Sequence, residues 1–430
     1  MTDKPSNQIL NHPDHMPNIF PGLKVIGPAV DDIPSFRAQH VNFDARGIPA
    51  QIRPLSAPVL QTTSYVKSAY QNCNFPLVKQ IEQMASEDLN GVYQNIINNG
   101  FGAFQRVELD GKPFYATWSR GGMVWGYTEF IKPVNDDPNI KYEAQVQFGS
   151  YAETAMIAGI HSYNLRLPDL LVEGILAGLM VKVFAGYVAE GLSFVATAFA
   201  ARLGLILAEW GIELAFALPE FVIPLVAACI VFTIVFVGLS YLWDWLNRKY
   251  TVRTQFFNWD PTQEWEIDGQ YCNNAIIPGY DGGALKFNLP KMLPPGSTVT
   301  PPGWSGPVQA LDAICFYGES IWNNDSLFLQ GLSMCVRVRR NNTDDGFMWV
   351  YNNPRFSSNQ QAILNGTNDP YTTYETCFRD NLWDQNPSQA AKVVSNTRNV
   401  IRYGMDYLNG APDNLYNVII NIGPPNSAKL

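Results

Sequence analysis

Arg202, Glu209, Glu213 and Glu220 are the only charges in a run that is otherwise uncharged from Gly191 to Leu218 and continues past Pro219. A helix turns by about 100° per residue, so offsets of 7, 11 and 18 residues bring all four within ~20° of one line. Ionisable groups on an apolar helix are costly in lipid and usually face a partner helix or a water path. Three carboxylates against one guanidinium would give such a path a preference for cations. On a surface helix the same stripe would simply be the solvated face. Catalytic chemistry has less to draw on. His12, His15 and His40 belong to a polar N-terminal arm and His161 stands alone. The pairs Asp136-Asp137 and Asp344-Asp345 fall in turn-like sequence and read as solvated. No metalloprotease, nucleophile-elbow, phosphate-loop or dinucleotide motif occurs, so neither an enzyme nor a metal or cofactor is expected.

The stripe belongs to the apolar stretch Leu170–Trp245. Its last part, Phe221–Trp243, contains no charge, and about 20 apolar helical residues cross a bilayer core. Phe221, Val222, Ile223, Val231, Phe232, Ile234, Val235 and Phe236 are the expected membrane-inserting side chains. Trp243 and Trp245, followed by Arg248-Lys249, suit the interface. Leu218-Pro219-Glu220 predicts a bend between two helices, because proline lacks the amide donor and disfavours helix at the preceding residue. Upstream, Leu170–Ala189 is a third apolar segment, with Gly174 and Gly178 spaced for close helix contact. A fully buried core helix of a large soluble domain is the competing expectation.

The hydrophobicity is local: 47% of residues are hydrophobic, yet mean hydropathy is only −0.08. That contrast argues against a polytopic transporter. A net charge of −9 argues against a broadly basic nucleic-acid binder. The N-terminus lacks the basic-then-apolar order of a secretory signal, so cytoplasmic synthesis followed by release onto a target membrane is the expectation. Six widely spaced cysteines, Cys73, Cys229, Cys272, Cys315, Cys335 and Cys377, read as free thiols.

Along the chain, 1–58 reads as an extended arm, 59–167 as a mixed α/β region, 168–249 as the apolar helical region and 250–430 as a β-rich sandwich with a helical C-terminal element. Ser68–Gly100 carries helical spacing, and Asp110-Gly111 marks a hairpin turn. Tyr142 opens a strand leading toward the apolar region. From Tyr250 to about residue 356, short alternating runs separated by Pro-Gly and Asp-Gly turns predict an antiparallel sandwich. Asn386-Pro387-Ser388 reads as a helix start opening a helical run from Ala390 to Tyr407, and Leu415–Ile422 as a final strand. The expected fold class is therefore α+β and multidomain, a hydrophobic α-helical hairpin bundle plus a C-terminal antiparallel β-sandwich.

The apolar hairpin flanked by polar sequence resembles the buried hairpin of α-helical pore-forming toxins of the colicin type. The run Thr251-Val252-Arg253-Thr254-Gln255-Phe256-Phe257-Asn258, with Trp265, Gly269 and Pro294-Pro295-Gly296, resembles the β-sandwiches of the actinoporin and aegerolysin groups. Those resemblances imply binding to membrane lipid; the expected function is a pore-forming protein that inserts its hairpin and assembles as a homo-oligomer in the membrane, with a lipid headgroup or a glycan recognised by the C-terminal β domain. Actinoporins carry an N-terminal amphipathic helix where this chain has an internal apolar segment, so no lipid-binding residue is carried over. Trp259, Trp265, Tyr271, Tyr280, Trp304, Tyr317, Trp322, Trp349 and Tyr351 are aromatic anchors or core residues, with Trp304, in a Pro-Gly-rich loop, the most plausible exposed anchor. The alternatives are an integral membrane protein with a soluble β domain and a soluble structural or carbohydrate-binding protein with a large apolar helical core.

Overall fold

The computed structural model describes residues 24–29, 59–60, 64–109, 112–133, 142–152, 157–167, 213–215, 250–276, 287–299, 308–309, 313–324, 331–341, 343–354, 356–394 and 399–423. In chain order these form β1 (Lys24–Pro28), β2 (Val59–Leu60), α1 (Ser64–Gln71), α2 (Phe75–Asn99), β3 (Gln105–Leu109), β4 (Lys112–Trp118), β5 (Gly122–Pro133), β6 (Tyr142–Ala152), β7 (Ile157–Leu167) and β8 (Glu213–Ala215). There follow β9 (Thr251–Asn258), β10 (Trp265–Asn273), β11 (Ala275–Ile276), β12 (Phe287–Leu289), β13 (Thr298–Val299), β14 (Val308–Gln309), β15 (Cys315–Asn324), β16 (Leu332–Arg340), β17 (Gly346–Asn353) and β18 (Gln360–Asn365). Helix α3 (Pro370–Arg379) precedes β19 (Gln389–Val394), β20 (Asn399–Met405) and β21 (Leu415–Ile422). The chain divides into two compact units, one of Met1–Ser56, Gln80–Trp245 and Thr298–Leu311, the other of Ala57–Lys79, Leu246–Ser297 and Asp312–Leu430.

The first unit is built on an antiparallel meander in the order β1-β3-β4-β5-β6-β7-β8. Leu109 pairs with Lys112, so the connection between β3 and β4 is the two-residue one that Asp110-Gly111 predicts. Helix α2 buries Ile81, Ala85, Leu89, Val92 and Ile96, a spacing of three and four that keeps them on one face. Gly100, with φ 51°, ends it in the left-handed region that favours glycine. The buried amide of Asn95 donates to the Thr117 hydroxyl at 3.2 Å, and the Ser119 hydroxyl donates to the Asp88 carbonyl at 3.3 Å. A Cβ on Gly122 would stand 2.8 Å from that same Asp88 carbonyl oxygen, so helix and hairpin meet backbone to backbone.

The second unit is a sandwich of two sheets. One has the order β12-β10-β16-β17-β18, and the other the order β11-β15-β9-β21-β20-β19 with β2 also pairing β15. Every pairing in these sheets is antiparallel except that of β21 with β9. Alternate residues meet between the sheets: Leu332, Met334, Val336 and Val338 of β16 and Phe347, Trp349 and Tyr351 of β17 face Ile401, Tyr403 and Met405 of β20 and Tyr416, Val418, Ile420 and Ile422 of β21 in one core. The opposite parity, Cys335, Met348, Val350 and Ala362, packs under Tyr374 and Cys377 of α3.

Three expectations need correction. The described residues contain three α-helices among many strands, so the chain is predominantly β and the helical hairpin bundle is overturned as a fold class. Within the supposed stripe helix, Glu213–Ala215 is strand β8, pairing Glu213 with Arg166 and Leu214 with Leu165. The edge of β7 offers unpaired amides and carbonyls, and taking them up wins over helical periodicity. The helical run expected from Ala390 to Tyr407 is instead the β19–β20 hairpin. Its β-branched and aromatic residues alternate into the core, and the Ser388 carbonyl accepts from the Met405 amide at 2.9 Å rather than opening a helix.

Gly122→Ala is expected to destabilise the first unit by about 1–3 kcal/mol, because a backbone oxygen cannot rotate away from the added methyl. Chemical denaturation followed by tryptophan fluorescence measures it, and an unchanged midpoint would show that the helix and hairpin are not held at this distance.

Candidate functional site

Of the residues expected to act in a membrane, Phe221, Val222, Ile223, Val231, Phe232, Ile234, Val235, Phe236, Arg202, Glu209, Glu220, Trp243, Trp245 and Trp304 lie outside the described residues, as do His12, His15, His40, Asp136, Asp137, Cys229 and Tyr280. Glu213 lies in β8 and His161 in β7. No described helix is long and apolar enough to cross a membrane. Trp259, Trp265, Trp322, Trp349, Tyr317 and Tyr351 are fully buried; they are core, not anchors. Asp345 is not a solvated residue but is buried in a turn beside Arg340 at 3.7 Å.

The exposed aromatics sit elsewhere, on α3. Asp369 caps this helix, its carboxylate accepting from the Thr372 amide at 2.9 Å, and Pro370 occupies the first turn. Hydrogen bonds from Thr372 hold the Asp369 carboxyl below its usual range. Pro370, Thr373, Tyr374 and Cys377 form the buried face. Tyr371 and Phe378, two turns apart, remain 53% and 38% exposed, and Leu382 beyond the helix is 39% exposed. Their rings join a continuous file. Tyr271 of β10 lies 5.0 Å from Tyr371 and 4.9 Å from Tyr374 between centroids. Phe378 lies 4.5 Å from Tyr374 and 4.8 Å from Trp383. The amide of Asn273 donates to the Tyr374 hydroxyl at 2.7 Å. Burial first, then Tyr374, Tyr371 and Glu375, push the Tyr271 phenol up. Trp383 is placed by its neighbour Asp384, whose carboxylate accepts from Lys392, Tyr403 and the Ile363 amide. Burial pushes the nearby thiols Cys272 and Cys377 up to about 12.

A second exposed feature occupies the end of the sandwich where the chain enters β9. The β17–β18 loop carries Phe356, 82% exposed, and the β20–β21 turn carries Leu408, 38% exposed. The Asn359 amide donates to the Leu408 carbonyl at 2.6 Å, holding the two loops side by side. Asp406 anchors the turn. Its carboxylate accepts from the Asn417 backbone and side-chain amides, both at 2.8 Å, and lies 3.7 Å from Lys79 at the start of α2. Lys79 also donates to the Tyr407 hydroxyl at 3.1 Å. Burial outweighs these partners and raises the Asp406 carboxyl above its ordinary value.

Sequence reasoning missed the α3 ridge. Its signal was present in Asp369-Pro370, an N-cap followed by N1 proline, with buried positions three, four and seven residues on. Among the described residues no cluster of three His, Cys, Asp or Glu side chains is placed to hold a metal. No family model and no curated protein matches the chain. Among solved structures it is similar to the crystal structure of IP-1A from Alcaligenes faecalis at 10% identity, over 41% of this chain and 94% of that one, with a TM-score of 0.19. A likeness at that level carries no argument about fold or function.

Because the folded-state value of Asp406 is raised, its stabilising effect is full below the ordinary carboxylate value and is lost as pH rises through the raised one. Asp406→Asn is expected to remove that slope from acid to neutral pH and to cost about 1–3 kcal/mol, since the carboxylate accepts from both Asn417 amides and an amide in its place keeps only one acceptor. Denaturation midpoints across pH for variant and parent measure this; parallel curves would show that folding leaves the Asp406 carboxyl at its ordinary value.

Proposed function

We propose that the protein acts at lipid membranes as a membrane-permeabilising protein whose sandwich unit seats on the bilayer by the Phe356–Leu408 end. One observation carries this reading: the end that exposes Phe356 and Leu408 is the end at which the chain arrives at Thr251, which pairs with Leu415 and Asn323. The residues immediately before it in sequence are the charge-free Phe221–Trp243 stretch with Trp243, Trp245 and Arg248-Lys249. An apolar side chain entering the interface gains about 1.5–3 kcal/mol when fully buried. Two such side chains on adjacent loops therefore supply a weak, reversible seat that brings the apolar stretch to the lipid surface. The net charge of −9 suits a zwitterionic rather than an anionic bilayer.

The purified full chain is expected to float with phosphatidylcholine vesicles and to release an entrapped dye. The double variant Phe356→Ser, Leu408→Ser is expected to partition at least about a hundredfold less, the weight of two such side chains, while keeping its fold. Absence of flotation and of dye release with vesicles of several compositions would refute the membrane reading. Undiminished flotation of the double variant would move the seat elsewhere on the molecule.

A further inference from the structure

The α3 ridge has a shape and a charge that the membrane seat does not use. Tyr371, Glu375 and Phe378 are spaced four and three residues apart, so they line one flank of the helix, and the two rings are separated by about 10.5 Å along its axis. Glu375 lies between them and is exposed; its charge acts on Arg379 one turn on, less strongly than that of Asp380. Asp369 lies before the helix and Asp380 after it. Arg379 is the one cation on α3 and is spent on Asp380, to which it donates two hydrogen bonds, at 2.7 and 2.9 Å. Asp369 is committed to the cap and feels Arg337 of β16, so Glu375 is the carboxylate that the flank itself presents.

This chemistry sorts the possible occupants. A bilayer would have to take Glu375 into the interface between the two rings, an expensive transfer, and an anionic lipid would meet like charge. A protein partner needs about 800 Å² per side, whereas two rings at 53% and 38% exposure offer roughly 200 Å². The Tyr271 ring fills the space between Tyr371 and Tyr374, touching both, so the three do not open into a cage around a small cation. Two exposed rings on one helix flank with an exposed carboxylate between them fit a sugar chain. Its C–H faces would stack on Tyr371 and Phe378, and a protonated amine on the sugar would pair with Glu375 by a charge-assisted hydrogen bond.

We propose that this ridge binds a glycan whose sugars carry free, protonated amino groups, stacked across Tyr371 and Phe378 and held by Glu375. The proposal is independent of the membrane reading, since it needs no lipid. Titration calorimetry of the full chain with glucosamine oligosaccharides, and with the N-acetylated oligosaccharides of equal length, tests it in lipid-free buffer at low salt. The free-amine series is expected to bind at least about tenfold more tightly than the acetylated one, the weight of one charge-assisted bond, and to weaken as salt is added. Tyr371→Ala and Phe378→Ala are each expected to weaken binding about tenfold, with a lowered thermal midpoint from the lost ring contacts but an unchanged far-UV spectrum at the assay temperature. Glu375→Gln is expected to abolish the preference for the amine. Equal affinity for the two series, binding to neither, or full binding by Tyr371→Ala would overturn the proposal. So would loss of vesicle flotation in Tyr371→Ala and Phe378→Ala, which would make the ridge a lipid contact.

Discussion

The second unit depends on the pairing of β21 with β9. Strand β9 is buried along its whole length, and its backbone is satisfied on one side by β15 and on the other by β21, its parallel partner from the far end of the sequence. Without β21 the most buried strand would present an open row of amides and carbonyls. The buried polar residues of β9 and its continuation are committed to the same closure. The Trp259 indole donates to Asn421 at 2.7 Å, Asn421 donates to the Tyr70 carbonyl at 2.9 Å, and Asn258 donates to the Leu289 and Pro290 carbonyls at 2.9 Å. Through Asn421, one side chain joins β21, the segment after β9 and helix α1.

Both exposed features are consequences of that closure. Closing the sandwich at β9 and β21 leaves the outer parity of β16 and β17 needing cover, and α3 supplies it with Tyr374 and Cys377. A short helix laid on a sheet can bury only one face, so Tyr371 and Phe378 stand at its flank. At the end where β9 begins, β21 also begins, and the turn that feeds it is held by Asp406 and Asn417. Leu408 stands out beside Phe356 because the backbone between Asp406 and Leu415 must reverse direction there. The Phe356–Leu408 end and the α3 ridge are thus two products of one packing problem.

Where local pattern and local chemistry coincide, the sequence sufficed. Helical spacing from Val78 to Leu89 became part of α2, ended by Gly100; the pairing of Leu109 with Lys112 fits the turn signal of Asp110-Gly111; Leu415–Ile422 is a strand. Each is decided within a few residues, by side-chain period or by the steric freedom of a glycine. Only the tertiary structure decided the rest. Ala390–Met405 carries a helix-start signal yet forms a hairpin, because Ile401, Tyr403 and Met405 have a core to enter only as a strand. Glu213 sits on a periodic stripe yet pairs with Arg166, because the edge of β7 was open. The aromatic residues divide the same way: a tryptophan in an alternating run has the same local sequence whether its face is covered or bare. Trp349 and Trp265 are core because a second sheet lies over them, whereas Tyr371 and Phe378 are exposed because nothing described covers the flank of α3. Period is a property of neighbouring residues, but burial is set by segments as remote as Trp259 and Asn421, 162 positions apart, and it is burial that separates a binding surface from a core.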